Sequence, residues 1–342
     1  MMEDLSVAGN MRRGREMENK EVLLEVKDLK VYYPVKGNSI IGKKEYVKAV
    51  DGVSFNVYKK EAFGIVGESG CGKSTTGHTI VGLLRPTSGE IKFRGESILS
   101  DKRRYSKEMA EKIQIIFQDP YSSLDPRFTV GRCIREPLDE HKKGTKEERN
   151  SLVERLMKEV GLNSDQITRY PHEFSGGQRQ RIGIARALTL SPELIICDEP
   201  VSALDVSIQA QILNLMKVLK EKRGLTYIFI SHNLSVVHHL CDRIAVMYLG
   251  HIVEITSKDE LFEHAEHPYT KALLSAIPVP DPDMKTMQAE IQGDVPSPRH
   301  PPTGCCFHTR CPFATEECSS VVPELKEISP EHFVACHKVH KR

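Results

Sequence analysis

Residues 62–75 read AFGIVGESGCGKST, an apolar run that stops at glycines and passes into a helix-compatible stretch. Such a run has the form of a buried parallel strand. A strand that turns through glycines straight into a helix commits the surrounding chain to an α/β sheet with helices on its faces. The turn also fills the pattern G-x-x-x-x-G-K-S with Gly67, Gly72, Lys73 and Ser74. Gly67, Gly70 and Gly72 allow backbone angles that bring successive N–H groups inward as an anion nest. The helix that follows adds its positive end. Lys73 can reach the β- and γ-phosphates of a nucleotide, the Ser74 hydroxyl can ligate Mg²⁺, and Thr75 adds a phosphate contact. Glu68, Ser69 and Cys71 complete the loop. The strand before and the helix after separate this match from a chance glycine turn.

LIICDEP, TYIFIS and IAVMYLG repeat the buried-strand pattern further along. The segment from about Val22 to Val57 carries two β-like runs, LLEVKDLKVYYPV and KAVDGVSFNV, split by GNSIIGKKEY, which predicts a small antiparallel sheet with a loop insertion. Residues from about 120 to 178 contain no strand-like run. There LVERLMKEVGL places Leu152, Val153, Leu156, Met157 and Val160 on one helical face, so this stretch reads as a helical insertion. After about Ser257 the strand–helix rhythm fades, and IPVPDPD and VPSPRHPPTG mark proline-rich linkers. The expected organisation is a flexible N-terminus over 1–21, a nucleotide-binding domain over 22–256, and a cysteine-rich extension over 257–342.

The first twenty residues are charged throughout, so no secretory signal is expected, and no window approaches the apolar length of a membrane span. The net charge of +1 gives no argument for nucleic acid as a partner. A membrane role is therefore expected to come through partners.

Three further stretches complete the chemistry. LIICDEP ends a buried strand with Asp198 and Glu199, where open α/β sheets place their ligands. Asp198 suits a role on Mg²⁺, which leaves Glu199 to activate the water that attacks the γ-phosphate. His232 follows the strand TYIFIS and emerges at the same edge. In EFSGGQRQRIGIARAL, Ser175 can cap a helix that begins at Gly176 and Gly177, offering a second phosphate-binding surface. One nucleotide site does not need two such surfaces, whereas a dimer in which each chain closes over the other's loop does.

The order GESGCGKST, IFQDP, FSGGQRQR, LIICDEP, SALD and SHN resembles the ATP-binding cassette family. The resemblance implies an ATPase in which Gln118 senses the γ-phosphate and Mg²⁺ and links the site to a membrane partner. It implies that Ser175, Gly176, Gly177 and Gln178 complete the opposing subunit's site, that Asp205 organises the dimer contact, and that His232 holds the γ-phosphate. Tyr33 looks like the aromatic that stacks on adenine, with Tyr32 as the alternative. Phe174 stands where the family usually has leucine, a conservative departure.

QDPYSSLDPRFTV, HPYTKALLSAIPVPDP and PPTGCCFHTRCPFA look like the ATPases of oligopeptide, dipeptide or nickel importers, closest to the F-type peptide permease subunit. That implies a second, related ATPase, two permeases and an extracytoplasmic binding protein, with this subunit peripheral on the cytoplasmic face of the membrane. A nickel or other small-solute importer, or a soluble non-transport cassette, are the other readings.

Five of the nine cysteines lie in GCCFHTRCPFATEEC and ACHKVH near the end. Cys305, Cys311, Cys318 and Cys336 are separated by gaps of five, six and seventeen residues, a spacing that supports a four-thiolate site without choosing the metal. The resemblance implies a four-iron four-sulfur cluster on these cysteines, with Cys306 left out, and the other reading is reduced structural thiols. Such a cluster is expected to be structural and separable from nucleotide chemistry. Cys133, Cys197 and Cys241 read as small buried residues. Cys71, at a helix N-terminus, is expected to have an acidified, modifiable thiol.

Overall fold

The computed structural model describes residues 20–35, 45–98, 105–277 and 293–341. Most of the N-terminal segment, of the GNSIIGKKEY insertion and of the first proline-rich linker therefore lies outside the described residues. Strands β1 (Val22–Pro34) and β2 (Tyr46–Tyr58) pair antiparallel, as the alternating runs predict. β3 (Ala62–Val66) is wholly buried and leads through the glycine loop into α1 (Lys73–Ile80). β4 (Ser88–Phe93) and β5 (Glu96–Ser97) return to the first sheet, giving the order β2-β1-β4-β5. A short α2 (Lys107–Lys112) precedes β6 (Ile113–Ile116).

The helical insertion then holds α3 (Val130–Glu140), α4 (Lys146–Glu159) and the start of α5 (Gly176–Leu188). Thr145 and Glu148 close α4 with reciprocal hydrogen bonds. Val153, Leu156, Met157 and Val160 are buried, as their spacing requires, and Leu152 is partly buried beside them.

β7 (Leu194–Asp198), α6 (Val206–Arg223), β8 (Thr226–Ser231), α7 (Leu234–Leu240), β9 (Arg243–Tyr248) and β10 (His251–Ser257) complete the alternation. The tail adds α8 (Lys258–His264), α9 (Pro268–Ser275), α10 (Glu316–Ser320), β11 (Lys326–Ser329), β12 (His332–Val334) and α11 (His337–His340). The second sheet runs β11-β12-β10-β9-β3-β8-β7-β6. From β6 to β9 its neighbours are parallel, while β10, β12 and β11 are antiparallel. The sheet is thus mixed, flanked by helices.

The tail extends the core sheet where the sequence suggested an appendage. Glu254 and Ile255 of β10 pair with Val334 and Phe333 of β12. KEIS and HFV are too short to display a period of two, which is why they were not legible as strands. Glu254, 0% exposed, fastens the junction: it accepts from the backbone N–H groups of Glu266 and His267 at 2.8 and 3.0 Å and lies 2.8 Å from His332 Nε2. Burial works against its charge, yet these hydrogen bonds hold its carboxyl below the usual carboxylate range.

His267 caps α9, its Nδ1 accepting from the Tyr269 N–H at 3.1 Å. Burial pushes its imidazole down to about 4, only partly opposed by the nearby Glu254 charge. A buried base with a depressed value stabilises the fold above its ordinary value of 6.5, and that stabilisation is lost as pH falls toward 4. His267→Asn keeps a capping oxygen without the titrating ring. Between pH 6.5 and 4 the stability difference should shift toward this variant by up to about 3 kcal/mol, read from denaturant midpoints at each pH.

Candidate active site

The parallel register decides where the chemistry collects. Val66 pairs with Ser231, and Asp198 pairs with Ile230, so β3, β7 and β8 end at one edge of the sheet. The glycine loop, Glu199 and His232 all emerge there, at the carboxyl ends where such sheets bind ligands.

The loop needs its glycines for space as well as for rotation. Gly70 and Gly72 have φ of +80° and +105°. A Cβ on Gly72 would sit 2.1 Å from the Ala49 carbonyl oxygen, and one on Gly67 2.1 Å from that of Met247. Any side chain at either position would push the loop off the strands that support it. Lys73, 4% exposed, donates from Nζ to the Gly67 and Glu68 carbonyls at 2.8 and 2.9 Å. Ser69 and Gly70 are exposed at the loop tip, and Thr75 is half-buried on α1.

The Ser74 hydroxyl donates to Asp198 Oδ1 at 2.8 Å, while His78 Nε2 lies 3.1 Å from Asp198 Oδ2. Ser74 thus holds Asp198 by a hydrogen bond, and His78, one turn further along α1, approaches its other oxygen. His78 was missed from sequence, although its i,i+4 spacing from Ser74 places both on one helix face.

Glu199 sits in the left-handed region at φ +45°, its N–H donating to the Ile230 carbonyl at 3.0 Å. This uncommon backbone for a non-glycine residue turns the carboxylate away from the buried path of Asp198. Gln118 Nε2 donates to Glu199 Oε2 at 3.0 Å, and His232 Nδ1 lies 3.0 Å from Glu199 Oε1. Two residues, 81 and 33 positions away in sequence, converge on this one carboxylate. With Ser74 and Asp198 alongside, the arrangement can hold a triphosphate, a divalent cation and an attacking water.

Ser175 caps α5, its N–H donating to Gln178 Oε1 at 3.0 Å and its Oγ accepting from the Gln178 N–H at 3.4 Å. Ser175 and Gly176 are exposed, whereas Gly177 is packed so closely on α6 that a Cβ would lie 2.5 Å from Ile208. Among the described residues, no hydrogen bond joins Ser175–Gln178 to the glycine loop. Asp205 stands exposed at the N-terminus of α6, and its side chain makes no capping bond. Of the two candidate aromatics, Tyr32 donates its hydroxyl to Asp51 and lies under Lys48, whereas Tyr33 is 39% exposed.

The expectation of an acidified Cys71 is not met. Its thiol is buried, and burial pushes it up in spite of the nearby Lys73 charge. The helix end carries too little charge to offset the loss of solvent.

In the tail, Cys305 is pushed up to about 11 by burial, with Cys318, Cys336 and Cys311 adding repulsion. The same neighbours act on Cys311, so the four thiols singled out by spacing lie within electrostatic reach of one another. Cys306 lies instead 3.8 Å from the Tyr248 carbonyl in the core. Among the described residues, no group of three or more His, Cys, Asp or Glu side chains is arranged to hold a metal ion. Nor is any described helix long and apolar enough to cross a membrane.

Comparison with known proteins shows the family. Residues 50–202 match the ABC transporter family, and residues 253–318 match the C-terminal region of oligopeptide/dipeptide transporters. The chain is 55% identical over 322 residues to the oligopeptide transport ATP-binding protein AppF of Bacillus subtilis, covering 93% of this chain and 98% of that one. It is 51% identical over 333 residues to OppF of Salmonella typhimurium, also an oligopeptide transport ATP-binding protein, covering 94% and 98%. Among solved structures it is similar to a dimeric post-hydrolysis ATP-binding cassette bound to ADP and Pi, with TM-score 0.59 and 29% identity over 69% of this chain and 99% of that one. The chain therefore belongs to the ATP-binding cassette family, as an ATPase of the branch that the oligopeptide transport ATP-binding proteins represent.

Proposed function

We propose that this chain hydrolyses ATP to power uptake of oligopeptides or dipeptides through membrane permeases. The observation that carries the reading is the Glu199 carboxylate, held by Gln118 and His232 beside the Ser74–Asp198 pair. Glu199 acts as the general base that takes a proton from the attacking water. Gln118, which donates to Glu199, and His232, 3.0 Å from it, orient that carboxylate and would reach the γ-phosphate. Gly67 to Thr75 cradle the phosphates, with Lys73 supplying the positive charge, and Tyr33 stacks on adenine. Ser74, Asp198 and Gln118 would hold Mg²⁺, which neutralises charge on the β- and γ-phosphate oxygens.

The capped N-terminus of α5 would complete the site of a second cassette, a related ATPase in a heterodimer. In support, Ser175, Gly176 and Asp205 are exposed, and the apolar Val206 beside Asp205 is 82% exposed. Such a face suits closure over a shared triphosphate, because only a ligand that binds the closed state better can drive closing. Two permeases and an extracytoplasmic binding protein would complete the importer, with this subunit on the cytoplasmic face of the membrane.

Cys305, Cys311, Cys318 and Cys336 would ligate a four-iron four-sulfur cluster that crosslinks the tail. Their mutual proximity supports this reading.

Glu199→Gln should bind ATP yet hydrolyse it about 10²- to 10⁴-fold more slowly and accumulate a closed dimer, measured by phosphate release and gel filtration. Near-normal turnover would sink the assigned role. Lys73→Ala should lose nucleotide binding itself, which an equilibrium ATP titration checks. Anaerobically purified protein should contain iron and acid-labile sulfide, and Cys311→Ser should lower both together with the thermal midpoint. Metal-free protein of unchanged stability would leave the thiols merely structural.

A further inference from the structure

The phosphate loop contains an acidic residue of its own. Glu68 follows the first glycine of a nest built for a polyanion, where an unpaired carboxylate would repel the ligand. Its partner comes from the cysteine-rich tail, 242 residues away in sequence. Arg310 donates from one guanidinium nitrogen to Glu68 Oε2 at 2.9 Å and from another to Oε1 at 3.3 Å, a two-point contact. The first of these nitrogens also lies 3.4 Å from the Tyr248 hydroxyl. Arg310 is 8% exposed at its side chain and Glu68 26%, so solvent screens the pair poorly.

The rest of the contact is rigid. The Glu68 N–H donates to the Tyr269 hydroxyl at 3.0 Å. Tyr248 and Tyr269 pack against each other with ring centroids 4.7 Å apart, and Phe307 of the tail lies 5.3 and 5.4 Å from them. Arg310 is therefore presented to the loop on a fixed aromatic platform, one residue before Cys311.

We propose that Arg310 is a positioning residue of the nucleotide site, which cancels the Glu68 charge and pins the phosphate loop to the tail. This rests on the reading of that loop as an ATP site, and it makes the tail an integral part of that site. A buried ion pair contributes little to net stability, so its use here is electrostatic. The test is ATP titration and steady-state hydrolysis with the full chain. Arg310→Ala should weaken ATP binding about tenfold and raise KM more than it lowers kcat. Arg310→Lys should retain most of the affinity, and adding Glu68→Gln to Arg310→Ala should restore most of it. The deficit of Arg310→Ala should also shrink as salt is raised. Should Arg310→Ala fail to fold, Arg310→Met fills similar space without charge and should show the same loss. Unchanged affinity in the neutral variants, or a double variant as weak as the single one, overturns the proposal. Wild-type protein that binds no ATP overturns the nucleotide reading itself, a separable result.

Discussion

The parallel ladder through β7, β8 and β3 is the constraint on which the rest of this molecule depends. Because Asp198 pairs with Ile230 and Val66 pairs with Ser231, three separate strands release their chains at one edge. Strands of this kind are buried on both faces, so a slip in register would move the polar ends into apolar surroundings at a cost of several kcal/mol. The same register that satisfies the core therefore sets the distance between the phosphate loop and the carboxylates. Glu199 is the first residue past the last ladder pair, and its left-handed backbone turns its side chain away from Asp198, which stays buried against Ser74 and His78. Two adjacent acids acquire two environments from one turn of the chain.

The tail is bound to this core by polar groups that burial makes costly to leave unpaired. Glu254 gathers two backbone N–H groups and His332, which locks β12 beside β10. Phe307, Tyr248 and Tyr269 fill the space between the sheet and the cysteine segment. Removing one partner from such a network costs more than the network adds in stability, because the remaining group is stranded without water. That asymmetry makes the attachment specific. It also places Cys305, Cys306 and Phe307 within the same apolar cluster as the central strands.

Much of the site was legible because local pattern and local chemistry coincide there. An apolar run, a glycine turn and a helix start announce the phosphate loop within fifteen residues, and strand-end acids announce Asp198 and Glu199. The buried face of α4 follows from helical spacing alone. Illegible were the features whose cause lies across the chain. His78 matters only once Asp198 is beside α1, and the strands β11 and β12 are too short to show a period. Cys71 was misread because its helix-end position is local, while the burial that raises its thiol is not.

The sequence by itself determined the α/β class, the order of the nucleotide motifs and the candidate phosphate-binding groups, since these rest on backbone freedom and side-chain chemistry within short windows. Only the tertiary structure decided that Gln118 and His232 meet on Glu199, that Cys311, Cys318 and Cys336 come within electrostatic reach of Cys305, and that Arg310 reaches back to Glu68. Those contacts span from 33 to 242 residues, except among the closely spaced thiols. Their physical reason is the packing of buried surface, which brings distant polar groups together and then, by excluding water, obliges them to pair.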